Sequence, residues 1–410
     1  MVQIYNLGIS FYLLFIRAAG IFNKKAKLFV EGRKNWEGEL RQKIIPGEKY
    51  SWFHCASLGE FEQCRPVIEE LKSKYPEYKI LLSFFSPSGY EVRKNYHAAD
   101  IVCYLPIDTK KNAQRFLDIT RPEKALFVKY EFWHHFIKEI KNRGIPLFAI
   151  SAIFRENQLF FKPSPWGKWY REMLNGFEHF FVQNKKSGEL LSKIGLTNYT
   201  VAGDTRFDRV AKIAEHSKEL PIIEKFKNGN PLIVIGSSWK ADEELLINYI
   251  NHTSKVKFII APHEVSEGNI SRIEHSLKKT SIRYSVANQN HENTQVLIID
   301  SIGLLSSVYK YGEIAYIGGG FGIGIHNILE AAAYGMPIIF GPNFEKFDEA
   351  YKLTGLGGAF SIKNYSSLET ILNDLVNNPG KLDETTNITR QFVKNNTGAT
   401  SVILKKVFNI

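Results

Sequence analysis

From residue 50 onward the chain alternates short, near-continuous apolar runs with longer stretches of helical spacing. "YSWFHCAS" (50–57) leads into a helix near 60–74, and "YKILLSFF" (78–85) into another after Pro87. "ADIVCYLP" (99–106), "EKALFVKY" (123–130), "IPLFAISAIF" (145–154) and "FEHFFVQN" (177–184) continue the series, and "YTVAGDTRFDRV" (199–210) closes it. Strands without apolar–polar alternation are those of a parallel sheet covered by helices on both faces. A polar stretch with a short helix, 211–230, reads as a linker. The pattern then restarts with "PLIVIGSSW" (231–239), "VKFIIAPH" (256–263), "TQVLIID" (294–300), "EIAYIGGG" (313–320), "MPIIFGP" (336–342) and "GGAFSIK" (357–363). This predicts an α/β protein of two Rossmann-like, doubly wound domains facing across a cleft, at 49–210 and 231–410. Ligands are expected at the carboxyl ends of the strands. The last helix, around 384–410, is long enough to cross back onto the first domain.

The first 48 residues follow a different pattern. "IYNLGISFYLLFIRAAGIF" (4–22) is apolar and aromatic, interrupted by Asn6, Ser10 and Arg17. Without a basic start or a small-residue cleavage site it does not read as a cleaved signal peptide, and Arg17 makes it marginal as a spanning helix. Nine cations against four glutamates then leave a net charge of +5 over residues 1–49. An apolar segment joined to a basic one holds a protein on an anionic membrane leaflet more firmly than either does alone; an N-terminal helix packed on the body of the protein is the alternative.

The whole-chain net charge of +11 points to an acidic partner: nucleic acid, anionic lipid or a phosphorylated substrate. The basic residues are dispersed, with no zinc, RRM or helix-turn-helix signature, which argues against nucleic acid. Cys55, Cys64 and Cys103 have no metal-ligand spacing, and so sparse a count fits a reducing compartment.

Several polar residues stand just past a predicted strand. Glu60 opens the helix after the first strand, where the helix dipole keeps a carboxylate ionised and able to accept a hydroxyl proton; a first-turn glutamate serving only the dipole is the alternative. Glu131 follows strand 123–130 among Tyr130, Trp133, His134 and His135, either as a site carboxylate or as part of a structural aromatic cluster. Arg206 follows a strand–Gly turn, where its guanidinium can grip a phosphate or pair with Asp204 or Asp208. In the second half Ser237 and Ser238 follow the first strand and His263 the second. Asn327 stands at the expected start of a helix over 326–334, with Glu330 one turn in. "YIGGGFGIGIHNILEAAAYGMPIIFGP" (316–342) contains neither a P-loop nor a Gly-x-Gly-x-x-Gly register. It still has the strand, glycine turn, helix and strand layout that turns backbone N–H groups toward an anion. A close-packing turn without a ligand is the alternative.

Taken together, "SLGEFEQCRPVIEEL", "FSPSGYE", "YLPIDT", "YEFWHHF", "GDTRFD", "IGSSWKADEE" and the 316–342 stretch resemble the Kdo transferase family, the 3-deoxy-D-manno-octulosonic acid transferases of lipopolysaccharide synthesis. The resemblance runs over nearly the whole chain. It implies a GT-B fold, no metal and no cofactor, and transfer of Kdo from CMP-Kdo to a lipid A precursor with inversion, at the cytoplasmic face of the inner membrane. It also implies Glu60 as general base, with Glu131 and Arg206 stabilising the transition state. The CMP contacts it implies are Pro262 and His263, Ile302, Gly303 and Leu304, and Asn327, Ile328, Leu329 and Glu330. Three positions depart from the family pattern. Its Arg-His is Pro262-His263 here, its Gly-Glu-Leu turn is Gly303-Leu304-Leu305, and its Gly-Pro-His is Gly341-Pro342-Asn343. Arg206 replaces the usual lysine. The rival readings are a GT-B enzyme using a UDP-sugar and a basic nucleic-acid-binding protein.

Overall fold

A computed structural model describes residues 1–287 and 293–410. The chain forms two compact units, Met1–Asp208 with Gly398–Ile410, and Arg209–Thr397. Each is built on a seven-stranded, wholly parallel sheet, as the apolar runs predict.

In the first unit the strands are β1 (Tyr50–Cys55), β2 (Lys79–Phe84), β3 (Ile101–Tyr104), β4 (Lys124–Val128), β5 (Leu147–Ala152), β6 (His179–Val182) and β7 (Tyr199–Val201), in the order β3-β2-β1-β4-β5-β6-β7. Side chains alternate between two cores. Tyr50 and Trp52 of β1 and Ala125 and Phe127 of β4 enter one; Phe53, Cys55, Leu126 and Val128 enter the other. Both cores are covered by helices, so neither face of these strands tolerates polar alternation. The switch in strand order falls between β1 and β4, where His54 pairs in register with Phe127. The loops after these two strands therefore flank one crevice, the place where doubly wound sheets bind ligands.

The helix Val2–Ala19 has no fully buried residue, yet one of its faces is fastened to this unit. The Tyr5 hydroxyl donates to Asp108 at 2.5 Å, and Asn6 lies 2.6 Å from His135 Nε2. Asp108 also accepts the His135 and Phe136 N–H groups, at 3.1 and 3.0 Å, capping the helix His134–Asn142. The opposite face exposes Ile4, Leu7, Phe11, Leu14 and Phe15. Among the described residues, this is the one helix long and apolar enough to cross a membrane.

The second unit contains β8 (Leu232–Ser238), β9 (Lys257–Pro262), β10 (Ser281–Arg283), β11 (Val296–Ile298), β12 (Ile314–Ile317), β13 (Ile338–Phe340) and β14 (Ala359–Ser361), in the order β10-β11-β9-β8-β12-β13-β14. Its switch point lies between β8 and β12.

Three local expectations change. The stretch read as a linker, 211–230, is mostly helical: Arg206–Glu215 is followed by Pro221–Lys227, whose Ile223 and Phe226 are fully buried. The expected last helix is two, Pro379–Asn396 and Ala399–Phe408. They part at Gly398, whose φ of +110° no L-residue adopts easily. Asp208 accepts the N–H groups of Gly398 and Thr400, and Ile403, Leu404, Val407 and Phe408 enter the first unit's core. The helix expected over 326–334 is only Leu329–Ala332, because residues 318–328 are held in an irregular path by close backbone packing.

Candidate active site

At the β1–β4 crevice two carboxylates stand on rigid supports. Ser57 is the N-cap of the helix Leu58–Lys74 and Glu60 its third residue, positions from which serine and glutamate side chains can each bond the other's backbone. The structure spends them differently. Ser57 makes no side-chain cap to the helix Leu58–Lys74; its hydroxyl donates to the Glu60 carboxylate instead. Glu60 is half-buried in the first turn, oriented by Ser57 and by the helix N-terminus behind it.

Glu131 is buried and more tightly held. Its Oε2 accepts from Trp133 Nε1 at 2.7 Å and lies 3.0 Å from His54 Nε2. The imidazole's other nitrogen is 2.9 Å from Ser83 Oγ, which accepts the Trp52 indole N–H at 2.8 Å. One tautomer satisfies the whole row: Trp52 donates to Ser83, Ser83 to His54 Nδ1, and His54 Nε2–H to Glu131. Fully buried His54 and Ser83 are site residues that the sequence reading missed. The available signal was a histidine inside an otherwise apolar strand. Glu60 and Glu131 both act on Cys55, whose thiol pKa is raised by burial first, then by Cys64 and the two carboxylates. The Tyr130 hydroxyl pKa is raised by burial, against the nearby Arg155 and with Glu60. Lys129, between β4 and Glu131, has a φ of +57°, a conformation that costs energy and recurs at functional sites.

Arg206 is anchored rather than loose. Its Nε and Nη2 donate to Asp204 Oδ2 at 3.0 and 2.8 Å, and that oxygen also accepts from Gln63 Nε2 at 3.0 Å. Burial pushes the Asp204 pKa up, but the Arg206 guanidinium outweighs it and the net shift is downward. The ion pair considered from sequence is present, and it fixes a half-buried cation after β7.

In the second unit the predicted residues collect on the C-terminal edge of the sheet. Pro262 ends β9 beside Ser238, and the His263 N–H donates to the Ser238 carbonyl at 2.9 Å. The Ser238 hydroxyl is committed to buried Glu243 at 2.8 Å, a structural contact. His263 stacks on Trp239 at 4.3 Å and on His326 at 4.5 Å, and Trp239 Nε1 donates to His326 Nε2 at 2.9 Å. Three loops thus build a ring stack that no contiguous motif announces. Burial first, then His263, lowers the His326 pKa. Asn327 Oδ1 accepts the Leu329 N–H at 3.1 Å, its Nδ2 donates to Glu330 at 3.2 Å, and Ile328 and Leu329 are buried beneath them. Ile302 is 91% exposed beside Gly303 and Leu304, which lead into the short helix Leu305–Val308.

At Gly319 the glycine cluster does not offer the free N–H expected of an anion cradle, and its neighbours serve close packing. A Cβ on Gly318 would lie 2.2 Å from the Ser237 carbonyl oxygen, and one on Gly320 would lie 2.6 Å from the backbone of Gly341. The Gly319 N–H is taken by buried Asp242 at 2.9 Å. These glycines let backbone pack on backbone, and a four-residue helix offers little dipole. Among the described residues, no group of three or more His, Cys, Asp and Glu side chains is arranged to hold a metal.

Residues 32–209 match the family model described as 3-deoxy-D-manno-octulosonic-acid transferase (kdotransferase). The 3-deoxy-D-manno-octulosonic acid transferase of Aquifex aeolicus is 27% identical over 84% of this chain and 88% of its own length. That of Haemophilus influenzae is 24% identical over 86% and 85%. The chain is a relative of the Kdo transferases. The enzyme class that goes with that kinship is glycosyltransferase. In fold, this Kdo transferase relative is similar to UDP-GlcNAc 2-epimerase from Neisseria meningitidis, with a TM-score of 0.61 at 15% identity over 88% of this chain and 100% of that one. It is also similar to MurG from Acinetobacter baumannii, with a TM-score of 0.57 at 13% identity over the same shares, 88% and 100%.

Proposed function

We propose that the protein transfers Kdo from CMP-Kdo to a lipid A precursor at the cytoplasmic face of the inner membrane, without metal. The observation that carries this reading is the pair of carboxylates at the β1–β4 switch point, on a unit matched by the Kdo transferase model. Glu60 takes the proton of an acceptor hydroxyl while that oxygen forms its bond to the anomeric carbon of Kdo. The bond from that carbon to the phosphate oxygen breaks with its electron pair, CMP leaves, and the configuration inverts. General-base assistance of this kind contributes roughly 10²–10⁴-fold. Glu131, kept in place by Trp133 and His54, faces the positive charge that grows on the sugar. Arg206, oriented by Asp204, supplies a fixed cation for the departing phosphate.

The second unit holds CMP through the Pro262–His263 and Asn327–Glu330 loops. With Gly319 committed to Asp242, this role passes from the glycine turn to side chains: Glu330 and Asn327 for the ribose, and the Trp239–His263–His326 stack beside them. The exposed apolar face of Val2–Ala19 and the basic residues after it seat the first unit on the anionic membrane.

The test is product analysis after incubation with freshly generated CMP-Kdo and a tetraacylated lipid A precursor. Acceptor that gains Kdo supports the reading. Acceptor left unchanged, together with a melting temperature raised by UDP and not by CMP, replaces it with the UDP-sugar reading.

A further inference from the structure

A groove of about 300 Å³ runs in the first unit between the helices Val2–Ala19 and Lys24–Glu31 and the end of β2. Its walls are Tyr12, Ile16, Phe29 and Phe85, with the small Ala19 and Ala26 between them and Lys25 among the polar residues that line it. The aromatic walls brace one another: Phe29 meets Phe85 edge-on at 5.2 Å, and Tyr12 stacks over Phe85 at 6.3 Å. Arg33 fixes them from behind. Its guanidinium lies 3.8 Å from the Phe29 ring centre and donates to the carbonyls of Phe29, Phe85 and Leu105. A cation so placed holds the two rings in position without presenting its N–H groups to the groove.

Two continuities say what the groove takes. At one side Phe85 packs on Trp133 at 4.4 Å, and the Trp133 indole N–H is bonded to Glu131. At the other, Ile16 and Ala19 belong to the helix whose outer face exposes Phe11 and Phe15, with Phe22 just beyond its end. Apolar side chains thus lead from the helix with the exposed apolar face, by way of the groove and Phe85, to the ring beside the candidate catalytic carboxylate. Asn23, Lys25 and Ser86 supply the polar part of the lining, and against the four large apolar walls an alkyl chain loses nothing, whereas a hydroxyl would go unpaired. Lys25 on the lining, next in sequence to Lys24 and two residues before Lys27, supplies a cation that complements an anionic headgroup.

We propose that this groove holds one acyl chain of the lipid acceptor, keeping the lipid on the enzyme while its hydroxyl reaches Glu60. The identity of the lipid rests on the transfer reading above; the capacity of the groove for an alkyl chain does not. Such a site lets an acceptor leave the bilayer surface partway without exposing its chain to water.

The experiment is photolabelling of the full chain on neutral phospholipid vesicles, with no sugar donor present. The probe is an alkyl phosphate bearing a mid-chain diazirine. Labels are expected on the peptides carrying Tyr12, Ile16, Phe29 and Phe85. Ala26→Trp, or Ala19→Phe from the opposite wall, should remove them while co-sedimentation with vesicles stays unchanged. Whichever variant keeps the wild-type melting temperature gives the reading. For transfer, the filled groove should raise the KM ratio of acylated over O-deacylated acceptor about tenfold, equivalent to roughly two buried methylenes. Labels confined to Phe11, Phe15 and Phe22, equally in wild type and variants, would overturn the groove. Groove labelling in a protein that transfers nothing would sink the transfer reading and leave the alkyl site standing.

Discussion

Replacing Trp133 with phenylalanine removes one hydrogen-bond donor from the candidate catalytic apparatus and little else. The indole N–H reaches Glu131 Oε2 over 2.7 Å, and the ring rests on Phe85 at 4.4 Å. Phenylalanine keeps an aromatic ring on Phe85 and deletes the donor. A hydrogen bond to a charged group is worth about 1.5–3 kcal/mol. Glu131 keeps its contact with His54, so the carboxylate stays buried but is held at one point instead of two. If Glu131 acts only when correctly placed, most of that energy is lost from the transition state. The expected fall in kcat is then about 10–100-fold, at roughly 1.36 kcal/mol per decade. CMP affinity should not move, because the candidate nucleotide residues belong to the other unit. The assay is CMP release at saturating donor and acceptor, for the two single variants Trp133→Phe and Glu131→Gln and for the double variant. Trp133→Phe should cost less than about threefold once Glu131 is already glutamine, the non-additivity expected of a residue acting through its neighbour. Equal losses in both backgrounds, or an unchanged kcat in the single variant, would refute the positioning role.

Other consequences are as direct. Burial is the main cause holding His134 and His179 at about 4, below the ordinary 6.5, with His135 and Lys138 adding to it at His134 and Lys406 at His179. The unfolded chain therefore takes up these protons first, so stability is unaffected above pH 6.5 and falls between pH 6.5 and about 4, by at most roughly 3 kcal/mol per histidine. Denaturation at stepped pH measures this, and a flat profile across that window contradicts it. Gly318→Ala should lower the melting temperature sharply, since its Cβ would lie 2.2 Å from a carbonyl oxygen, whereas Gly322→Ala, with 3.6 Å to its nearest neighbour, should be close to neutral. Equal melting temperatures would refute the packing role of the cluster. Tyr5→Phe strips one of three donors from buried Asp108. Amide exchange in residues 2–19 should speed up while the strands stay protected, and unchanged exchange would show that the helix is held by other contacts.

The sheets were legible because parallel strands covered on both faces leave short apolar runs bounded by turn residues; β1 and β4 fall inside the runs 50–57 and 123–130. β10 left no comparable run: Ser281–Arg283 is a three-residue edge strand, half-buried throughout. The glycine-rich stretch stayed ambiguous in sequence because two demands share one composition. Glycines that bare N–H groups to an anion and glycines that admit a neighbouring backbone look alike until Asp242, in another segment, is seen to occupy the Gly319 amide. The Trp239–His263–His326 stack and the Trp52–Ser83–His54–Glu131 row were out of reach for the same reason, since each joins residues from separate loops or strands. Glu60 was visible as a carboxylate opening a helix after a strand. That its serine partner bonds the carboxylate rather than the backbone was not.

The central claim is that this chain releases CMP from CMP-Kdo only when a lipid acceptor is present, with Glu60 taking the acceptor's proton. The direct measurement is the rate of CMP release from freshly generated CMP-Kdo, with and without tetraacylated lipid A precursor, for the wild type and Glu60→Gln. Lipid-dependent release in the wild type, slowed about 10²–10⁴-fold in the variant with CMP binding retained, is the predicted result. Lipid-dependent release that survives in Glu60→Gln would remove the base, and release from neither protein would contradict the account as a whole.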